Sequence, residues 1–203
     1  MTSQTSAAPA SFTELFSAAL RRASDAMCQW TSGRVSLALE EVVNAPLEEI
    51  SERMQIAADM LAMVVLGVEG ASGAGGQFVL AFDEENGRKL AASLLRRKVV
   101  NQPEWTAIER SAVMETGNIL ASAYLNELTL LLQMELTPTP PEFVQDFGPS
   151  VLQQALMAQA MYSDQILLCQ TRFEFDQQAV NWSVFFAPSV ELMQAIHAAL
   201  QPG

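Results

Sequence analysis

The chain has 203 residues, 50% hydrophobic and 17% charged, enough apolar material for a core, so wholesale disorder is excluded. Ten glycines and nine prolines exclude collagen-like and low-complexity classes. With 11 Lys and Arg against 23 Asp and Glu the formal charge is -12, and the dense basic clusters, Arg21-Arg22 and Arg96-Arg97-Lys98, are short, so neither nucleic acid nor an anionic membrane is an expected partner.

Residues 1–11 are rich in Ser, Thr and Ala, lack the basic and apolar regions of a signal peptide, and read as a flexible tail. Phe12, Leu15, Phe16, Ala19, Leu20 and Ala23 recur at helical spacing, and the helix is expected to run to about Glu41, with Trp30 to Gly33 bending or interrupting it. Val42 to Ile50 contains Pro46 and reads as a short edge strand or a loop. Asp59 to Glu69 and Gln77 to Phe82 read as strands joined by the glycine-rich turn Gly70 to Gly76, a hairpin. That turn lacks Gly-Lys-Ser/Thr and is not a phosphate loop. A helix follows from Asp83 to about Lys98, acidic in its first turn and basic in its last.

The longest periodic element is the helix from about Trp105 to Leu132. After it come a short strand (Gln133 to Leu136), a proline-rich link (Thr137 to Pro141) and a helix from about Ser150 to Met161. A second hairpin, Gln165 to Phe175 and Val180 to Phe186, leads through Pro188-Ser189 to a C-terminal helix ending near Leu200. Gln77 to Phe82 followed by a helix is echoed by Trp182 to Ala187 followed by a helix, at an offset on the order of 100 residues, too long for a solenoid. The expected fold class is α/β of the α+β type. It is a pseudo-two-fold duplicated unit with a mainly antiparallel sheet from two hairpins and long helices packed on one face. The expected domain is a single unit over 12–203, with halves of about 12–100 and 101–203.

Cys28 and Cys169 have no CxxC partner, and a lone His197 completes no zinc set, so no metal site is expected. Both thiols read as buried. His197 reads as a surface residue in the last turn of a helix. Met60, Met63, Met114 and Met157 read as core fillers and Trp105 as packing at a helix start. The run Met60 to Leu66 falls far below the roughly 20 residues of a membrane span, and a soluble, cytoplasmic protein is expected.

Ser111, Glu115, Asn118 and Ser122 of the long helix fall within about 60° of one another at 100° per residue. Val113, Thr116, Ile119, Leu120, Ala123, Tyr124 and Leu131 occupy a separate arc, expected to face the core. The blandest reading of such a polar stripe is a solvated face. Gly117 argues for more: a mid-helix glycine costs roughly 0.5–1 kcal/mol against alanine, gains nothing on a plain wet surface, and admits a close approach beside Asn118. An amide is a poor general base, but its carbonyl and NH₂ hold a water in position, which is much of the protein's work in phosphoryl transfer. A neighbouring carboxylate suits a cationic group on a partner. The pair therefore suits a protein that completes another protein's hydrolytic site.

Ser111-x-x-x-Glu115-x-x-Asn118, followed by 22 residues and then Pro141, resembles the signature of the CheC, CheX and FliY phosphatases of bacterial chemotaxis. Ser-Ala-Val-Met-Glu-Thr-Gly-Asn-Ile-Leu with Tyr124-Leu125-Asn126 after it looks specifically like CheC. The resemblance extends to Pro149-Ser150, to Ser163 through Leu168 and to Phe185-Phe186-Ala187-Pro188, and covers roughly residues 12 to 200. Glu41-Val-Val-Asn44 repeats the core spacing but has Gly67 where the distal proline should stand. The resemblance implies a phosphatase acting on the aspartyl phosphate of a CheY-type response regulator. Asn118 then orients water and Glu115 contacts the regulator's lysine. Ser111, Gly117 and Pro141 accompany the motif with no catalytic role. The resemblance also implies that Mg²⁺ comes from the partner, with no cofactor of the chain's own, and that the deamidase CheD is a further partner. CheC often carries two such motifs. No intact copy lies between Phe12 and Leu39, so a single site in the second half is expected, and a catalytically weak adaptor is the alternative.

Overall fold

The computed structural model describes residues 11–46, 49, 60–99, 104–161, 166–175 and 178–200. The proposed tail therefore lies outside the described residues except for Ser11. Ser11 caps α1 (Phe12–Trp30), its side chain accepting the Glu14 amide at 3.2 Å. The remaining elements are β1 (Val35–Ala45), β2 (Met60–Gly70), a 3-10 turn (Ala71–Gly73), β3 (Gly75–Phe82), α2 (Glu84–Leu94) and α3 (Ala107–Leu132). They continue with β4 (Leu136–Pro138), β5 (Glu142–Phe147), α4 (Gly148–Ala160), β6 (Ile166–Phe175), β7 (Gln178–Pro188) and α5 (Val190–Leu200).

One seven-stranded antiparallel sheet runs β1-β6-β7-β3-β2-β4, with β5 also on β2. The two expected hairpins, β2–β3 and β6–β7, join along β3 and β7, where Phe78 stands opposite Phe186. Alternation along the strands gives the sheet two buried faces. Ala62, Val64, Leu66, Phe78, Leu80, Phe82, Val184 and Phe186 meet α1 and α3 on one side. Leu61, Met63, Val79, Ala81 and Phe185 meet Leu156 of α4 on the other. The long helices share one face, as expected, and the shorter α4 covers the opposite one.

The centre of the first face is aromatic. Tyr124 of α3 lies 5.5 Å from Phe186, 5.8 Å from Phe78 and 6.0 Å from Phe16 of α1, ring centre to ring centre, and all four rings are fully buried. Each such side chain contributes about 1.5–3 kcal/mol by burial, and each edge or offset ring pair about 0.5–1.5 kcal/mol more.

The first helix is shorter than the sequence pattern suggests. The Thr31 hydroxyl donates to the Met27 carbonyl at 2.6 Å and accepts from the Val35 amide at 3.0 Å, closing α1 and opening β1. Gly33, at φ +82, completes the reversal. Val35 to Glu41, expected as helix, is strand. Together with Val42 to Ala45 it forms one long edge strand on β6. A bulge between Leu39 and Glu41 shifts its register, so Val35 faces one core and Val43 the other. Asp83 caps α2, which ends at Leu94 and not Lys98; Arg96 to Lys98 lie beyond it. Part of the expected link after Leu136 is strand β4, and β5 follows where no strand was expected.

Cys28 is exposed, not buried; the Cys169 side chain lies outside the description. Met63 is in the core, but Met60 and Met157 are 61% and 55% exposed. Trp105 is buried and His197 is on the surface, as expected.

Gly117 is buried against β2. A Cβ built on it would stand 2.6 Å from Val64 Cγ1 and 3.2 Å from Val64 Cβ. Valine is stiff at χ1 and cannot swing clear. Gly117→Ala is therefore expected to lower stability by about 1–2 kcal/mol, despite alanine's better helix propensity. Urea denaturation of Gly117→Ala, Val64→Ala and the double variant checks this: the double variant should be more stable than the two single losses added together.

Candidate functional site: the outward stripe of α3

The start of α3 is held firmly. The Thr106 side chain accepts the Glu109 amide at 3.3 Å, and the Glu109 carboxylate accepts the Thr106 amide at 2.9 Å and its hydroxyl at 2.7 Å, a reciprocal capping box. Glu109 is 3% exposed and also meets Arg97 at 2.7 Å and Arg88 at 3.8 Å. Arg88, 4% exposed, is held in turn by Glu84 at 2.8 Å and lies over the Trp105 ring at 4.9 Å. Burial pushes the Glu109 carboxyl upward, but the Thr106 hydrogen bonds, then Arg97 and Arg88, more than offset this and leave its pKa lowered.

Further along, α3 presents the expected stripe. Ser111 and Glu115 are exposed; Asn118 and Ser122 are half-buried. Val113, Gly117, Leu120, Tyr124 and Leu128 are buried on the opposite side. Gly117 is thus not part of the outward surface: the close approach it permits is that of Val64, so its role is in packing.

Asn118 lies about 60° around the helix from Glu115, on the same side as buried Leu125 and Ala121. Thr116 lies about 100° the other way, and its hydroxyl accepts the Trp30 indole N–H at 3.4 Å. Pro141 is half-buried at the entry to β5. Its loop is fastened to β2: the Thr139 amide donates to the Gly67 carbonyl at 2.8 Å, and the Thr139 hydroxyl accepts the Gly67 amide at 2.8 Å. Glu142 stands opposite Val65, and Val64 is the residue under Gly117. The helix residues and the distal proline are therefore anchored on one short stretch of β2, Val64 to Gly67.

The first half differs. Arg21 and Asp25 of α1 are exposed, Ser24 accepts the Leu37 amide at 3.1 Å, and Arg22 pairs with Glu127 of α3 at 2.9 Å. Glu41 and Asn44 lie on strand β1 and not on a helix, so the helical spacing that unites Glu115 and Asn118 does not apply to them. Sequence reasoning did not find the Trp30–Thr116 contact or the Arg88–Glu109–Arg97 cluster. The pattern Thr106-x-x-Glu109 was a readable sign of the capping box.

The profile of the CheC-like family matches residues 108–144, a span that holds Ser111, Glu115, Asn118 and Pro141. The match runs from the motif helix into β5. "CheY-P phosphatase CheC" of Bacillus subtilis (strain 168) is 31% identical over 93 residues, and the match spans 44% of either chain, less than the 12 to 200 read from motifs. Among solved structures, FliY of Thermotoga maritima has a TM-score of 0.65 at 18% identity, covering 92% of both chains. A chain from the CheX-CheY-BeF3-Mg complex of Borrelia burgdorferi scores 0.59 at 16% identity, covering 89% of this chain and 99% of its own. The FliM middle domain of H. pylori scores 0.63 at 12% identity, covering 93% and 95%. These likenesses establish the fold. No helix among the described residues is long and apolar enough to cross a membrane.

Glu109→Gln is expected to cost about 2–4 kcal/mol, because it removes the charge that offsets Arg97 and the buried Arg88. The lowered carboxyl contributes stability in full above the ordinary glutamate value of about 4.3, and loses it as pH falls through the lower folded value. Wild type should therefore lose urea resistance more steeply below about pH 4.3 than Glu109→Gln does.

Proposed function

We propose that the chain accelerates hydrolysis of the aspartyl phosphate on a CheY-type response regulator. The carrying observation is the outward stripe of α3, with Glu115 and Asn118 on a helix whose rotation the core fixes. A convex helix face encloses no small substrate. It suits insertion into a partner's own site, where the partner holds both its phosphorylated aspartate and Mg²⁺.

In this reading Asn118 accepts one hydrogen of a water and directs its lone pair in line at phosphorus. The water oxygen bonds to phosphorus as the bond to the aspartate oxygen breaks. The aspartate leaves as carboxylate and inorganic phosphate is released. Glu115 pairs with the regulator's lysine and sets the angle at which Asn118 enters. Ser111 lies at the edge of the contact, and Pro141 holds the loop beside it.

A second reading, an adaptor that docks CheD or the regulator with little turnover, draws on the lack of a motif copy in the described part of α1. Phosphate release from an autophosphorylated CheY-type regulator with Mg²⁺ separates the two. Wild type should speed decay, Asn118→Ala should lose at least about tenfold of that acceleration, near 1.4 kcal/mol of barrier, and Glu115→Ala should raise KM. Both substitutions lie on the outward face and should leave the denaturation midpoint in place. Unchanged decay with wild type and mutant alike defeats the phosphatase reading, and retained binding in that case supports the adaptor.

A further inference from the structure

The turn of α3 that carries the motif is built from residues that loosen a helix. Gly117 stands between Glu115 and Asn118, and a glycine inside a helix weakens it. Beside it the Thr116 hydroxyl donates to the Ala112 carbonyl at 3.0 Å, a back-bond of the kind that bends helices. A bend at this turn would carry the outward side chains with it. For a group that orients a reactant, a misplacement of about 1 Å costs on the order of a hundredfold in rate.

Two contacts oppose that freedom. From beneath, Val64 of β2 meets Gly117. From the side, the Trp30 indole N–H donates to the same Thr116 hydroxyl at 3.4 Å. Thr116 is fully buried, and Trp30 is 42% exposed. One hydroxyl thus joins the α3 backbone at Ala112 to the last residue of α1. The α1 end of this brace is itself fixed. The Thr31 hydroxyl bonds both the Met27 carbonyl and the Val35 amide, and Met27 is fully buried. On α3 the brace meets the helix about 100° round from Glu115, within the turn from Ala112 to Thr116 that presents that carboxylate.

We propose that Trp30 is a positioning residue for the α3 site: through Thr116 it braces the turn that carries Glu115 and Asn118, and so sets how well Asn118 is aimed. This rests on the reading of α3 given above. Trp30 touches no reacting atom. Its bond to Thr116 is long, so its loss lowers turnover severalfold and does not abolish it. Phenylalanine at position 30 keeps a ring and drops only the N–H. The Thr116 hydroxyl keeps its bond to Ala112 in that variant, so no buried donor is left unpaired.

The test uses the full chain and the CheY-type receiver of the same genome, phosphorylated, with Mg²⁺. Trp30→Phe should lower kcat about three- to tenfold, with KM within about twofold and the melting temperature in place. Thr116→Ser keeps the hydroxyl and should keep the wild-type kcat. Thr116→Val should match Trp30→Phe, and the double variant should be no slower than either single one. A lower melting temperature with unchanged kcat in Trp30→Phe marks a merely structural role and overturns the proposal. Losses that multiply in the double variant overturn the route through Thr116. Hydrogen exchange of the free chain gives a readout that needs no turnover. The amides of Thr116 to Leu120 should exchange at least about threefold faster in Trp30→Phe, while those of Leu125 to Thr129 stay as they are. If the wild-type chain does not speed decay, the phosphatase reading of α3 fails by itself and exchange decides the brace: faster exchange at Thr116 to Leu120 upholds it, and unchanged exchange removes it.

Discussion

Tyr124 fixes the molecule. Its ring lies on the line where the two hairpins meet, against Phe78 and Phe186, and is stacked on Phe16 of α1. With Tyr124 turned into the sheet, the rotation of α3 is determined. Glu115 lies nine residues earlier, about two and a half turns at 3.6 residues per turn, so it points directly away from the sheet. The outward stripe is therefore a consequence of the core, not of the surface. A residue that looks free on α3 is aimed by rings on the other side of the helix.

Two further constraints stiffen that aim. Gly117 brings the α3 backbone down onto Val64, and the Arg88–Glu109–Arg97 cluster with the Thr106 cap fixes the first turn. The Thr139 clasp on Gly67 fixes the loop that carries Pro141 to the same strand. The amide and the distal proline, with 22 residues between them in sequence, are thus held on one scaffold. Side chains placed on rigid elements repeat their geometry from molecule to molecule, which is what the proposed orientation of a single water requires.

What was legible in the sequence follows from which interactions are local. α3, α5 and both hairpins carry their own periodicity and turn residues, and their readings hold. β1 and β5 do not. β1 pairs with β6, more than a hundred residues later on the order of the half-chain offset, and its bulge near Glu40 breaks the alternation that marks a strand. β5 follows three prolines in four residues, Pro138 to Pro141, and that composition hides it as a link. α2 stops at Leu94 because Arg96 takes the left-handed position that a glycine would have advertised. For the site, the stripe was readable because one period decides it. The reason for Gly117 was not, because it lies in a strand fifty residues upstream on the order of a hairpin and helix away.

Charge placement completes the argument about α3. The chain is strongly acidic, and three arginines near this helix are paired with acids on or beside it: Arg22 with Glu127, Arg88 with Glu84 and Glu109, Arg97 with Glu109. They hold the helix in place and neutralise the acids along its flank. Glu115 is left outward, with no ion-pair partner among the described residues. An exposed carboxylate gains little from a distant cation in water, but a lysine brought against it as two surfaces close meets it in a lower dielectric. In the proposed contact the interaction strengthens only once the partner has arrived in register, so that Glu115 suits orientation more than capture.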